Sequence, residues 1–349
     1  MKNSDKTGRL ADWIASAGTV CTVCHTHPDG DALGSCAAMY HYLSSLGKKV
    51  TILLPDAQPP SLNFVLEGTR YTSDAQEAAK ALEQCDLLFC LDFNTFSRTE
   101  AIEQACRAFG GKTVLIDHHL DPQTADFKLC FSTPDVSSTC ELMYRVLLEM
   151  PGIDGSASRL PIGTINALMT GMTTDTNNFA NSVWPGTLGM ASDLLGAGAD
   201  RDGILLRLYS SGREERLRAQ GDILLNRLTV IPKGAAIVVL TKDIVDGYAL
   251  LEGETEGFVN IPLEIASVRL SIFAKQENDG VFRVSLRSKA GTSARALAVQ
   301  AFHGGGHEQA AGGRIFIPSD IQDPSEAQAF VTAAAARFLQ DSSSAIEQK

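Results

Sequence analysis

The chain has 349 residues, and its 30 Lys and Arg stand against 41 Asp and Glu, a formal net charge of −11. That acidic balance argues against a protein that coats long nucleic acid, while leaving room for a local site that takes a small anion. Hydrophobic residues make up 44% and charged residues 20%, which predicts a folded, soluble chain of two domains and argues against disorder.

The first half alternates short apolar runs with helical patterns. Runs at 19–24, 49–54, 86–91 and 113–116 are rich in Val, Ile, Leu, Phe or Cys and are bounded by polar or turn residues, so each is predicted as a strand. Their continuous apolarity suits a parallel sheet buried on both faces. Helices are predicted at 32–46, 73–84 and 100–109, with Gly47 placed for a left-handed cap after the first. Strand–helix–strand order implies a doubly wound α/β domain.

From about residue 160 the pattern turns helical, with helices expected at 160–172, 185–196 and 202–228, the last a charged connector. Strands follow at 235–241, 266–273 and 281–287, with a hairpin turn at Asn278-Asp279-Gly280. A helix at 293–302, a strand at 314–318 and a helix from Ser325 complete a second, smaller α/β domain. The expected division is a catalytic domain at 1–190, a helical linker at 191–229, a second domain at 230–341 and a disordered tail at 342–349.

No apolar run is long enough to span a bilayer, and the N-terminus lacks the basic-then-apolar layout of a signal peptide. The cytoplasm is the expected compartment. All eight cysteines lie between Cys21 and Cys140, a distribution that suits reduced, buried thiols rather than a disulfide framework. Cys21-x-x-Cys24 is a weak candidate for half a zinc site. Residues three apart on a strand point to opposite faces, and no second CxxC exists.

Three predicted strands end in metal-type ligands. The first runs into His25-Thr26-His27-Pro28-Asp29-Gly30-Asp31, the third into Asp92 and the fourth into Asp117-His118-His119. In an open parallel sheet the carboxyl ends of the strands line the ligand crevice, so these groups can converge. Asp175 is expected just after the buried helix. A lone strand-end Asp is ordinarily a cap, and a lone His pair ordinarily lies at the surface; joint placement is what distinguishes this set. Six of the seven histidines fall in three short motifs, and only His41 lies elsewhere. Carboxylates crowded in one cleft repel, and divalent cations relieve that repulsion. A carboxylate and imidazole set without thiolate suits Mn²⁺ or Mg²⁺. Two cations about 3.5–4 Å apart can activate a water for in-line attack on phosphorus. Gly34-Ser35, near a helix start, is expected to offer backbone N–H groups to a phosphate.

On these residues the chain resembles the DHH family of phosphoesterases. Its first motif is similar to His25-x-x-Pro28-Asp29-x-Asp31-x-x-Gly34-Ser35, its second to Asp92, its third to Asp117-His118-His119 and its fourth to Asp175. The resemblance implies two Mn²⁺ ions, with Mg²⁺ as the alternative. It implies that His25 and Asp29 hold one ion, that Asp31, His118 and Asp175 hold the other, and that Asp92 bridges them. It further implies that His119 contacts substrate phosphate while Asp117 orients a histidine. His27 is not a ligand position and reads as a packing residue.

The second domain carries Ser285-Leu286-Arg287-Ser288 and then His303-Gly304-Gly305-Gly306-His307, followed by Ala310-Ala311-Gly312-Gly313. Three glycines alone suggest only a flexible turn. With the histidine and the small residues, they resemble the DHHA1 domain that accompanies one DHH subfamily. The family often has another glycine where this chain has His303. The resemblance implies that Arg287, Ser288 and His307 bind the nucleotide or its terminal phosphate, that Gly305 and Gly306 shape the pocket, and that a cleft lies between the domains. From Ile261 to Arg314 seven basic residues oppose four acidic ones, a net +3 stretch in an acidic chain, and Arg can grip phosphate through two parallel hydrogen bonds.

The resemblance extends to the stand-alone nanoRNase/pAp phosphatases. It implies a two-metal phosphoesterase that trims very short RNAs to mononucleotides and dephosphorylates adenosine 3′,5′-bisphosphate (pAp). Hydrolysis of cyclic dinucleotides, or of linear ones such as pApA, is the alternative. A non-catalytic nucleotide sensor is the alternative of a different class. The expected partner is a short oligonucleotide or nucleotide, without long nucleic acid or membrane, and a homodimer is compatible with the sequence.

Overall fold

The computed structural model describes residues 3–251 and 253–346. The chain divides into two compact units, Met1–Ser211 and Gly212–Lys349. The first unit runs α1 (Asn3–Ser16), β1 (Thr19–Val23), α2 (Gly30–Ser45), β2 (Lys49–Leu53), β3 (Tyr71–Thr72), α3 (Ala75–Glu83) and β4 (Leu87–Leu91). It continues with α4 (Glu103–Ala108), β5 (Lys112–Asp117), β6 (Leu129–Ser132), α5 (Thr139–Leu148), α6 (Ile162–Asp175), α7 (Pro185–Gly196) and α8 (Arg201–Tyr209).

The six strands form one parallel sheet in the order β3-β2-β1-β4-β5-β6. Apolar residues cover both faces. Val20 and Cys24 join one core with α1, α2, α5 and α6, while Cys21 and Val23 join the core beneath α3 and α4. The Cys21-x-x-Cys24 pair is therefore split across the sheet and cannot grip one ion. All eight cysteines are free thiols.

The strand order reverses between β1 and β4, the switch point where an open α/β sheet leaves a crevice. Val23 pairs with Cys90 and Leu91 with Ile116. Continuing that register by one or two residues sets His25 beside Asp92 and Asp92 beside Asp117.

Several elements differ from expectation. The edge strands β3 and β6 are too short to leave a readable pattern. α1 did leave one, since Leu10, Trp13, Ile14 and Ala17 fall at helical spacing and are buried together. So did α5, whose Ser138 accepts from the backbone N–H of Glu141, half of a Ser-x-x-Glu capping box. α6 runs three residues past its expected end, so Asp175 is its last residue instead of following it. The expected helix at 202–228 breaks into α8 and α9 (Glu214–Asn226), because Ser210, Ser211 and Gly212 between them are poor helix formers.

The second unit continues with β7 (Thr229–Ile231), β8 (Ala235–Leu240), α10 (Lys242–Gly247), β9 (Leu270–Asn278), β10 (Val281–Ser288), α11 (Ala294–Ala301), β11 (Gly305–Gly306), β12 (Ala310–Phe316) and α12 (Ala327–Ile346). Its sheet is mixed, in the order β11-β12-β10-β9-β8-β7, with only β8 and β9 parallel. β9 and β10 are joined by Asp279-Gly280. β12 starts four residues before the expected strand because Ala311 and Gly312 pair with Leu286 and Ser285 of β10. α12 reaches Ile346, so the tail expected from 342 overlaps its last turn; residues 347–349 lie outside the described residues.

Candidate metal centre

His25 follows β1 and is buried. Its Nδ1 lies 2.7 Å from the Thr26 carbonyl oxygen. A carbonyl can only accept, so Nδ1 carries a proton and Nε2 is the nitrogen that faces the carboxylates. Burial opposes charge on the ring, but Asp92 and Asp29 raise its pKa, so a cation at Nε2 would take the place of a proton there. Nε2 is 3.5 Å from Asp92 Oδ2 and 3.9 Å from Asp29 Oδ2. Asp29 caps α2, its Oδ1 accepting from the Asp31 and Ala32 amides at 3.0 Å each. That leaves its other oxygen directed toward His25.

Asp31 is buried in the first turn of α2. Its two oxygens accept from the backbone amides of Thr139 (2.6 Å) and Cys140 (3.0 Å) at the start of α5. The Thr139 hydroxyl donates to Asp92 Oδ1 at 2.9 Å. The N-terminus of α5 thus orients two carboxylates, one from α2 and one from the end of β4. Asp92 itself takes φ +63°, a left-handed conformation that costs energy in a non-glycine residue. That turn at the end of β4 places its carboxylate among three imidazoles.

His118 Nε2 stands 3.4 Å from Asp175 Oδ2 and 3.7 Å from Asp92 Oδ1. Two triads result, His25–Asp29–Asp92 and Asp31–His118–Asp175, each with ligand atoms within 4.8 Å of one another. His118 and His119 also group with Asp92. His119 differs in orientation. Its Nδ1 lies 2.7 Å from Asp117 Oδ1, and its Nε2 lies 3.0 Å from the guanidinium of Arg98. Asp117 is fully buried, and its second oxygen has no hydrogen-bond partner.

The electrostatics show strong charge crowding. Burial, together with the charges of Asp92 and Asp29, raises the pKa of Asp31; burial and the charges of Asp31, Asp29 and Asp92 do the same for Asp175. Burial also works against ionised Asp92, but His25, His119 and His118 outweigh it and hold its carboxyl well below the usual range. Burial lowers the pKa of His118, which favours the neutral, metal-binding imidazole. Hard oxygen and imidazole donors, crowded and short of positive charge, fit a divalent cation.

Within the first unit, His27 and Gly34-Ser35 lie outside both triads. His27 is half exposed and pairs with Asp56, Nδ1 to Oδ2 at 3.0 Å. Gly34-Ser35 does not offer free amides. Both residues are buried inside α2, and a Cβ on Gly34 would lie 2.8 Å from the Ala167 carbonyl oxygen of α6. The glycine is required by helix packing, and the Ser35 hydroxyl donates back to Ala32 O. In the second unit, Arg287 lies on β10 and donates to its own strand at Leu286 O, 2.9 Å away. The Ser288 hydroxyl proton is given to Thr292 O at 2.6 Å, so in this arrangement it offers none to a phosphate.

His307 forms a tight turn, its amide donating to Ala310 O at 2.8 Å. Gly306 has φ +135°, and a Cβ there would meet Ala310 O at 2.7 Å, whereas a Cβ on Gly305 would meet nothing within 4 Å. His303 takes the left-handed φ of +49° and pairs with Asp320 at 2.9 Å, so the departure from glycine is absorbed within this unit. Arg98 and Thr139 were not among the expected site residues. A single Arg in a polar loop and a Thr at a helix start leave no sequence signal of convergence.

The sequence profile described as "DHH family, N-terminal domain" matches residues 19–172, and the DHHA1 domain profile matches 235–338. The bifunctional oligoribonuclease and PAP phosphatase NrnA of Thermus thermophilus is 29% identical over 305 residues, 86% of this chain and 85% of that protein. Its Bacillus subtilis namesake is 26% identical over 295 residues, 84% and 88% of the two chains. The crystal structure of an exopolyphosphatase-related protein from Bacteroides fragilis superposes with a TM-score of 0.88 at 32% identity, covering 97% of this chain and 98% of that one. The chain therefore belongs to the DHH family, its N-terminal domain followed by a DHHA1 domain.

Proposed function

We propose that the chain is a two-metal phosphoesterase that hydrolyses short oligoribonucleotides to mononucleotides and removes phosphate from pAp. The observation that carries this reading is the meeting of two carboxylate–imidazole triads at the sheet's switch point. Similarity to oligoribonuclease and PAP phosphatase proteins over 84–86% of the chain supports the substrate class.

In this reading His25 and Asp29 hold one cation, Asp31, His118 and Asp175 hold the second, and Asp92 serves both. Mn²⁺ is the preferred ion and Mg²⁺ the alternative. When bound, such a pair supplies Lewis-acid stabilisation of phosphoryl oxygens and a water of lowered pKa. The chain's own residues do the rest. Thr26 O fixes the His25 tautomer, the α5 amides hold Asp31, and the Thr139 hydroxyl holds Asp92. Asp117 accepts the Nδ1 proton of His119, keeping that ring aligned at the phosphate position. Arg287 and His307, with Gly305 and Gly306 beside them, bind the nucleotide end of the substrate. Among the described residues no helix is long and apolar enough to cross a membrane, which is compatible with work in the cytoplasm.

A turnover panel tests the reading, with pAp, pApA and RNA of graded length assayed with Mn²⁺ and with Mg²⁺. Phosphate from pAp and mononucleotides from the shortest RNAs are expected. Exclusive turnover of pApA would assign a dinucleotide phosphodiesterase instead. Preference for long RNA would overturn the substrate class, and no product from any substrate would leave a nucleotide sensor.

A further inference from the structure

We propose that Arg98 is a substrate-contacting residue of this site, the guanidinium that receives the phosphoryl oxygens beside His119. The inference rests on the phosphoesterase reading and extends it to a residue outside the family motifs quoted above.

Arg98 lies six residues beyond Asp92, in the turn between β4 and α4. Its backbone is tied to the other side of the crevice, because the Thr26 amide donates to Arg98 O at 2.7 Å. Thr26 adjoins His25, so the loop after β1 and the turn after β4 hold Arg98 at the rim of the ligand cluster. Its side chain is half-buried and reaches His119, Nη1 to Nε2 at 3.0 Å.

A guanidinium carries five N–H donors and accepts nothing. His119 Nε2 therefore accepts from Arg98, while its Nδ1 donates to Asp117. With both nitrogens engaged, His119 has no proton to offer a phosphate in this state. Arg98 does. One of its donors is used on His119, and no Asp or Glu among the described residues forms an ion pair with it. A half-buried cation beside an acid-rich cluster, without a carboxylate of its own, is suited to an anion that arrives from outside. Its planar fork matches two oxygens of a phosphate group. His119 and Asp117 then act as the brace that aims the fork.

The test is binding of inorganic phosphate to the full-length, Mn²⁺-loaded protein by calorimetry, for wild type, Arg98→Gln and Arg98→Lys. Gln can still donate an amide proton to His119 Nε2 but brings no charge. Metal stoichiometry and melting temperature are measured on each variant. Arg98→Gln is expected to keep its metal and to bind phosphate about 10- to 100-fold more weakly, the loss of charge-assisted hydrogen bonds. Arg98→Lys should recover part of that loss. Phosphate affinity equal to wild type in Arg98→Gln would overturn the proposal and leave Arg98 as a brace for His119, with the phosphoesterase reading intact. Phosphate binding by neither wild type nor variant, with no turnover of the substrate panel, would overturn both.

Discussion

Gly34→Ala separates two explanations of the motif glycine, phosphate approach and helix packing. Gly34 lies in α2 against α6. An added Cβ would stand 2.8 Å from Ala167 O and 3.0 Å from the Gly171 N and Cα, where ordinary contact begins near 3.4 Å. All three atoms are backbone, so the helices must part by several tenths of an ångström. Overpacking of this kind costs about 1–3 kcal/mol. Alanine recovers about 1 kcal/mol of helix propensity over glycine, leaving a net loss of up to about 2 kcal/mol. In a unit of this size that lowers Tm by up to about 8 °C. Gly8→Ala is the internal control. Gly8 is exposed in α1 with nothing within 4 Å of its would-be Cβ, so alanine there should stabilise slightly. Parting α2 from α6 also draws Asp31 away from Asp175, so metal affinity should fall with stability. Thermal denaturation and metal titration of both variants decide the matter. Unchanged Tm and metal affinity in Gly34→Ala, with only KM raised, would refute the packing argument and restore the phosphate reading.

Asp92→Ala should abolish turnover, by at least about 100-fold, with near-native circular dichroism; near-normal activity would remove Asp92 from the proposed centre. Thr139→Val deletes the hydroxyl that holds Asp92 while preserving shape, and should weaken metal binding about 10- to 100-fold, with Thr139→Ser near wild type. Equal metal affinity in the Val variant would count against the role of α5. The pH dependence follows from Asp31 and Asp175, whose pKa values are raised from 3.8. An acid with a raised native pKa stabilises the fold below its unfolded pKa and loses that contribution as pH rises through the native value. The metal-free protein should therefore take up cation with release of protons, and the release should shrink as pH rises past those values. Calorimetric titration of Mn²⁺ in buffers of different ionisation enthalpy measures it; zero release at every pH would show the carboxylates already ionised. Asp92, with its lowered pKa, works in the opposite direction, as stability lost when pH falls.

The buried strands β1, β2, β4 and β5 and most of the helices were legible because parallel-sheet strands are apolar on both faces and leave continuous runs. The ligand set was legible for a related reason. Strand ends converge in an open α/β sheet, so His25, Asp92 and His118 could be grouped from their positions alone. Sequence by itself thus determined the four central strands of the first sheet and the chemistry of the donors. Tertiary structure decided what depends on residues distant in sequence. It put the start of α5 against Asp31 and Asp92, 108 and 47 residues away from Thr139. It also turned Arg98 onto His119 and assigned Gly34 to helix packing. Patterning reports which face of an element is buried, but not which neighbour lies against it, and the orientation of each metal-type ligand here is set by that neighbour.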